Sequence, residues 1–201
     1  MKFLRCEPKG EGRFLRRYDL HYEMADGHEK VYEMVSRRPV LAAEELSGAA
    51  PEGVVLVILN QSKTRVLLNR EFRPAVNRVV YNFPAGMPEP GESLPAAAAR
   101  ELAEETGLTL SACLACYGCS YGAIGISNEV SAVFFGQADD TQPFGGEHAP
   151  AEEIEPVWVK RAEAARIARG GAVTGRVQMF LVMWAENGFM PEDAETGPKN
   201  I

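Results

Sequence analysis

The sequence of 201 residues predicts a layered α/β (α+β) domain. Three observations carry this expectation. Residues 53–60, GVVLVILN, form an unbroken β-branched run, as in a strand buried on both faces. Residues 92–107 are alanine-rich and bounded by helix start and stop signals. Shorter strand and helix patterns flank both.

Taken in order, residues 14–37 read as two strands around Ala25-Asp26-Gly27, since Asp-Gly between alternating segments is a hairpin signal. Residues 39–51 are rich in Ala and Glu and read as a linker or short helix. Residues 64–71 look like the partner of the 53–60 strand, and 108–117 and 130–138 read as further strands. Residues 139–150 carry Gly, Pro and acids and predict a loop, followed by a short strand at 156–159. Helices are expected at 161–169, stopped by Gly170-Gly171, and at 178–186, with a polar tail from Pro191. This divides the chain into a β-hairpin extension and linker (1–50), a main domain (51–190) and a tail (191–201).

The composition narrows the class. The chain is 46% hydrophobic and 24% charged, which excludes wholesale disorder. No apolar run reaches the ~18–20 residues of a membrane helix, and the N-terminus lacks a secretory apolar stretch. With 21 basic and 28 acidic residues the net charge is −7, so non-specific nucleic-acid binding is not expected. An acidic protein that handles phosphates needs metal ions or a few placed arginines. Four cysteines make no disulfide framework, and a reducing cytoplasm is the expected compartment.

The chemistry concentrates in residues 86–108, GMPEPGESLPAAAARELAEETGL. Ser93 can cap a helix that tolerates Pro95 in its first turn, and Gly107 can end it. At ~100° per residue, Glu101 and Glu105 share a face and Glu104 lies one step round. Three carboxylates so close repel one another unless a cation sits among them, and oxygen ligands suit Mg²⁺ or Mn²⁺. Arg100, four residues before Glu104, can steady the cluster. Glu92 falls where the helix dipole favours an acid. A bare acidic run is more commonly a solvated helix face.

The spacing decides between the two. Gly86 is followed after five residues by Glu92 and, after seven more, by Arg100-Glu101-Leu102. One residue on come Glu104-Glu105, and one further Gly107-Leu108. The chain thereby resembles the Nudix hydrolases, with every defined signature position filled. The resemblance implies a Nudix fold, an α/β/α sandwich around a mixed sheet. It implies metal-dependent hydrolysis of a nucleoside diphosphate linked to another moiety. It places Glu101 and Glu105 as principal metal ligands, Glu104 as a further ligand or water-orienting carboxylate, and the Ala85 carbonyl as a backbone ligand. Arg100 and Glu92 match the pair that orients the helix.

The flanks resemble the ADP-ribose pyrophosphatase branch, in REFRPAVNRVVYNFPAG before the signature and YEMVSRR near residue 35. That resemblance implies a two-fold homodimer built on the N-terminal strands. It implies stacking of adenine on Phe14 and Tyr32, base-edge contact from Glu33, and substrate contacts from Arg37 and Arg73. Read without the resemblance, these are sheet-face aromatics and surface ion-pair partners. Ile124 stands where the branch usually has a proline ahead of Gly125 and Ser127, in the loop expected near the distal sugar. The loop carboxylate of relatives matches Glu152 best, with Glu147 and Glu153 as substitutes, in a Gly-flanked loop suited to closing on substrate. The expected function is hydrolysis of ADP-ribose or a similar nucleoside diphosphate sugar to AMP and a sugar phosphate. The alternatives are a Nudix hydrolase of a nucleoside triphosphate or dinucleoside polyphosphate, and a non-catalytic ligand sensor.

Cys113, Cys116 and Cys119 are read as packing residues rather than a metal site, and His21, His28 and His148 show no ligand spacing.

Overall fold

Strand β4 (Gly53–Asn60) shows why an unbroken apolar run was needed. Val54, Leu56 and Ile58 enter one core cluster with Ala97, Ala98 and Leu102, while Val55, Val57 and Leu59 enter another with Ala164, Ile167, Val177 and Trp184. Period-two side chains therefore bury both faces of the sheet, between a helix on one side and two helices on the other. This is the α/β/α layering expected from the sequence.

The structure is a computed structural model and describes residues 1–47, 50–147 and 153–187. The chain divides into two units, residues 1–52 with 118–131, and residues 53–117 with 132–201.

In the first unit, β1 (Lys2–Glu11), β2 (Arg16–Glu23) and β3 (Glu29–Ser36) form an antiparallel sheet in the order β1-β2-β3. The Asp-Gly turn joins β2 to β3 as expected, but the hairpin carries a third strand. The β1 sequence, KFLRCEPKGE, contains Pro8 and Gly10 and lacks alternation, and its register slips at Phe3/Arg5 and Pro8/Gly10. An edge strand with one half-solvated face tolerates this, which is why its sequence carries so little strand signal. One face of the sheet holds a small cluster of Tyr18, Leu20, Met34 and Val40. The other is charged. Residues 43–46, within the expected linker or short helix, form a single 3₁₀ turn.

In the second unit, β5 (Arg65–Arg73) lies between β4 and β10 (Ile154–Lys160), and β9 (Val130–Ala138) between β4 and β8 (Leu110–Tyr121). Two short strands escaped the sequence reading. β6 (Arg78–Asn82) pairs with the end of β5, with Asn82 opposite Asn69. β7 (Ala85–Gly86) pairs with β4. Helix α1 (Leu94–Thr106) covers one face, and α2 (Arg161–Gly170) and α3 (Gly175–Asn187) the other. Among the described residues, no helix is long and apolar enough to cross a membrane.

Candidate active site

The site is built on α1, whose ends are fixed by its own sequence. Ser93 Oγ accepts from the Ala96 amide at 3.4 Å, and a proline occupies the first turn. Gly107 takes φ 74 and its amide donates to the Ala103 carbonyl, closing the last turn in the left-handed conformation that glycine adopts without strain. Ala97, Ala98 and Leu102 are buried against the sheet, which fixes the rotation of the helix.

That rotation points Glu101 and Glu105 inward and leaves Glu104 half-exposed. Glu101 lies against Gly86, where a Cβ would fall 1.8 Å from the carboxyl carbon. Only glycine leaves this seat open. The Arg100 guanidinium organises the approach. It donates to Glu92 through Nε at 3.1 Å and Nη2 at 2.9 Å, to Glu101 at 2.9 Å and to Glu104 at 2.8 Å through Nη1, and to the Met87 carbonyl. Its hydrogen bonds with Glu92 hold that carboxyl below the usual range.

Glu105 lies deeper. Its Oε2 accepts from Asn69 Nδ2 at 2.7 Å and from the Ala85 amide at 3.3 Å. Burial pushes its pKa up to about 8 against the opposing Asn69 hydrogen bond, with the nearby charges of Glu71 and Glu101 raising it further. Burial likewise raises Glu101, opposed by Arg100. Two inward carboxylates thus lie where removal from water disfavours their charge.

Three residues missed in the sequence complete this corner. Leu67, Asn69, Glu71 and Arg73 alternate along β5 and share a face, and Asn82 on β6 stands opposite Asn69. Asn82 Nδ2 donates to Glu71 Oε1 at 2.7 Å, and Asn82 Oδ1 accepts from Thr174 Oγ1 at 3.1 Å and Arg176 Nε at 3.3 Å. The available signal was weak, because Asn69 and Glu71 stand in a strand whose Arg65, Arg70 and Arg73 are polar as well. Arg73 reaches Glu71 at 3.8 Å and is exposed.

The donor set fits a hard divalent cation. It consists of carboxylate and amide oxygens, with the Asn69 Oδ1 buried and without a hydrogen-bond donor. Among the described residues, no three His, Cys, Asp or Glu side chains converge as a ready-made cage.

The flanking residues are spread across the first unit. A cavity of about 340 Å³ is lined by Tyr22, Tyr32, Tyr121, Ile124 and Ile126, among others, together with Glu33. Tyr32 is half-buried and packs edge-on to Tyr22 at 5.8 Å. Phe14 is not brought to it. It is exposed in the β1–β2 turn under Arg13, beyond the Arg16–Ser36 end of the hairpin, while Tyr32 pairs four positions away with Leu20. Glu33 points to the opposite sheet face from Tyr32, is exposed, and pairs with Arg17 at 3.1 Å. Arg37 lies 3.9 Å from Glu129. Ile124 stands in the wall of the same cavity as Tyr32 rather than apart from it.

Glu152 and His148 lie outside the described residues. Glu147 and Glu153 are exposed, and the Glu153 carbonyl accepts from the Phe72 amide at 3.1 Å. Cys113, Cys116 and Cys119, expected to pack, are exposed on β8, which ends the sheet. A strand with a neighbour on one edge only buries fewer of its side chains.

Comparison with known proteins agrees with this geometry. The NUDIX domain matches residues 50–178. The ADP-ribose pyrophosphatase of Saccharomyces cerevisiae is 50% identical over 42 residues, which cover 21% of this chain and 18% of that protein. The ADP-sugar pyrophosphatase of Mus musculus is 55% identical over 42 residues, covering 21% of this chain and 19% of that protein. The chain thus matches less than a fifth of the length of either relative. A crystal structure of an ADP compounds hydrolase superposes with a TM-score of 0.65 at 23% identity, covering 94% of this chain and 96% of that one, which speaks for the fold. A capped helix that carries the signature carboxylates under an open glycine, inside a matching fold, places the chain in the Nudix family of hydrolases.

Proposed function

We propose that this Nudix hydrolase cleaves the pyrophosphate of ADP-ribose or a similar nucleoside diphosphate sugar, giving AMP and a sugar phosphate, with Mg²⁺ or Mn²⁺. The observation that carries the reading is the buried pair Glu101 and Glu105, held on α1 with no lysine or arginine at Glu105 among its hydrogen-bond partners. Bound divalent cations there would neutralise the diphosphate and lower the pKa of an attacking water. Glu101, Glu105 and the Ala85 carbonyl hold the cations, and Glu104 adds a ligand or orients the water. Arg100 is a positioning residue, because its donors go to the protein's own acceptors. Glu152 serves as the loop carboxylate, with Glu147 and Glu153 as substitutes.

Base recognition falls to the first unit. Tyr32 offers a stacking face in its cavity, and Phe14 joins the site only from a second copy of the chain, in keeping with a two-fold homodimer. Glu33, Arg37 and Arg73 supply polar contacts once released from their present ion pairs. The relatives' names, ADP-ribose pyrophosphatase and ADP-sugar pyrophosphatase, support an adenine nucleotide. Four free cysteines accord with a reducing cytoplasm.

Measuring kcat/KM for ADP-ribose, ADP-glucose, UDP-glucose and a nucleoside triphosphate with Mg²⁺ tests the reading. ADP-ribose and at least one other ADP-sugar should be cleaved at comparable rates. Tenfold preference for the triphosphate or UDP-glucose overturns the substrate class. Light scattering should give a dimer at micromolar concentration, and a monomer removes Phe14 from the site.

A further inference from the structure

We propose that Glu71 is a further cation-binding residue, supplying a carboxylate from the sheet opposite the ligands on α1. This rests on the metal-dependent reading above and extends it to a residue outside the signature. Glu71 is 7% exposed, yet its Oε1 is met by the neutral amide of Asn82 at 2.7 Å. The positive charge given to it is Arg73, 3.8 Å away with a side chain more than half exposed to solvent.

The neighbouring groups sharpen the point. Asn69 is fully buried two residues back on the same face, and spends its Nδ2 on Glu105 at 2.7 Å. Its Oδ1 faces no donor. Glu71 in turn is near enough to Glu105 for its charge to act there. The corner therefore gathers acceptor oxygens from Glu71, Asn69 and Glu105 and answers them with two amide groups, one backbone N–H and the exposed Arg73 guanidinium 3.8 Å from Glu71. Buried carboxylates are ordinarily paired with a full charge or bound to metal, and an orphaned carbonyl oxygen beside them asks for the same partner. A divalent cation meets all three demands at once, and carboxylate plus amide oxygen is a donor set it accepts.

A purely structural role would make Glu71 an acceptor for Asn82 and nothing more, and the two roles rank substitutions in opposite order. Glu71→Gln keeps the length and the Oε1 acceptor but removes the charge. Glu71→Asp keeps the charge but draws it back from Asn82. Mn²⁺ binding to the full chain, followed by the electron paramagnetic resonance signal of free Mn²⁺, reads the difference without turnover. We expect Glu71→Gln to bind Mn²⁺ at least tenfold more weakly than wild type and Glu71→Asp to fall between them, since even outer contacts of a metal site change affinity by about 10–100-fold. Without metal, Glu71→Gln should melt no lower than wild type, because it removes a buried charge met only by a solvent-exposed arginine 3.8 Å away, while the rise in Tm on adding Mn²⁺ shrinks.

Glu71→Gln binding Mn²⁺ within threefold of wild type overturns the assignment, as does affinity ranked with Gln above Asp. Glu105→Gln separates the two levels. If wild type binds Mn²⁺ and Glu105→Gln does not, while Glu71→Gln does, the site stands and Glu71 is excluded. If wild type binds none, with or without ADP, the metal reading fails and takes Glu71 with it.

Discussion

Carboxylates of the same kind meet opposite fates in the two units. On the charged face of the first sheet, Glu29 accepts from Arg5 at 2.9 Å and contacts His21, while Glu7 accepts from Lys9 at 2.6 Å. Those bonds hold both carboxyls below their usual range. In the second unit Glu105 meets Asn69 and a backbone amide, and burial drives it the other way. A carboxylate matched to a protein cation is already spent. One denied such a partner is held ready for a cation from solution, and that difference separates an ordinary polar surface from a candidate catalytic one.

The sharpest break of this comparison is to remove the two inward charges of α1. Glu101→Gln and Glu105→Gln should each lower kcat at least about a hundredfold with Mg²⁺ present, while the far-ultraviolet circular dichroism stays native. Retention of activity within threefold, about 0.65 kcal/mol of barrier, would make the pair a structural feature. Next comes the cavity of the first unit. Tyr32→Ala should raise KM for adenine nucleotides with little change in kcat, by the ~1–3 kcal/mol of base stacking. An equal effect on uridine and adenine substrates would deny the cavity a role in base choice.

Acidity offers a finer probe. Glu105 has a folded pKa raised to about 8 from an ordinary value of 4.5 in the metal-free protein, so the folded state holds a proton that the unfolded chain releases. Its contribution to stability is fully present below about pH 4.5 and is lost as pH rises through 8. Metal-free stability from urea melts should therefore fall over that window with a slope approaching ~1.4 kcal/mol per pH unit, and Glu105→Gln should flatten it. A slope unchanged in the variant would assign the titration elsewhere. The smallest effect belongs to the matched side. Arg5→Ala breaks exposed pairs with Glu29 and should move Tm by no more than a few degrees, leaving kcat untouched.

Legibility in the sequence followed the range of the interaction. Helix α1 could be read from Ser93 to Gly107 because caps, propensity and carboxylate spacing are local along the chain. The buried run of β4 announced its own two-sided burial. Glu71, Asn69 and Asn82 could not be joined to Glu105, because strand register and the packing of α1 bring them together, across 36 residues in the case of Asn69. β1 was hidden because an edge strand carrying Pro8 obeys no alternation. Phe14 and Tyr32 looked like partners on a hairpin, but the register sets them apart within one chain.

Gly86 carries a consequence for how the protein tolerates change. Most positions near a metal site accept a substitution that silences chemistry and spares folding, as an isosteric amide does for a carboxylate. Position 86 reaches that outcome by another route, since one methyl group there claims the volume of the Glu101 carboxyl, 1.8 Å away. What the methyl meets is the far end of a flexible side chain, so alanine should turn Glu101 out of its seat at little cost to the fold, and activity should fall while abundance holds. A saturation survey that scores the two traits separately would find alanine at 86 decoupling them, as amides do at 101 and 105.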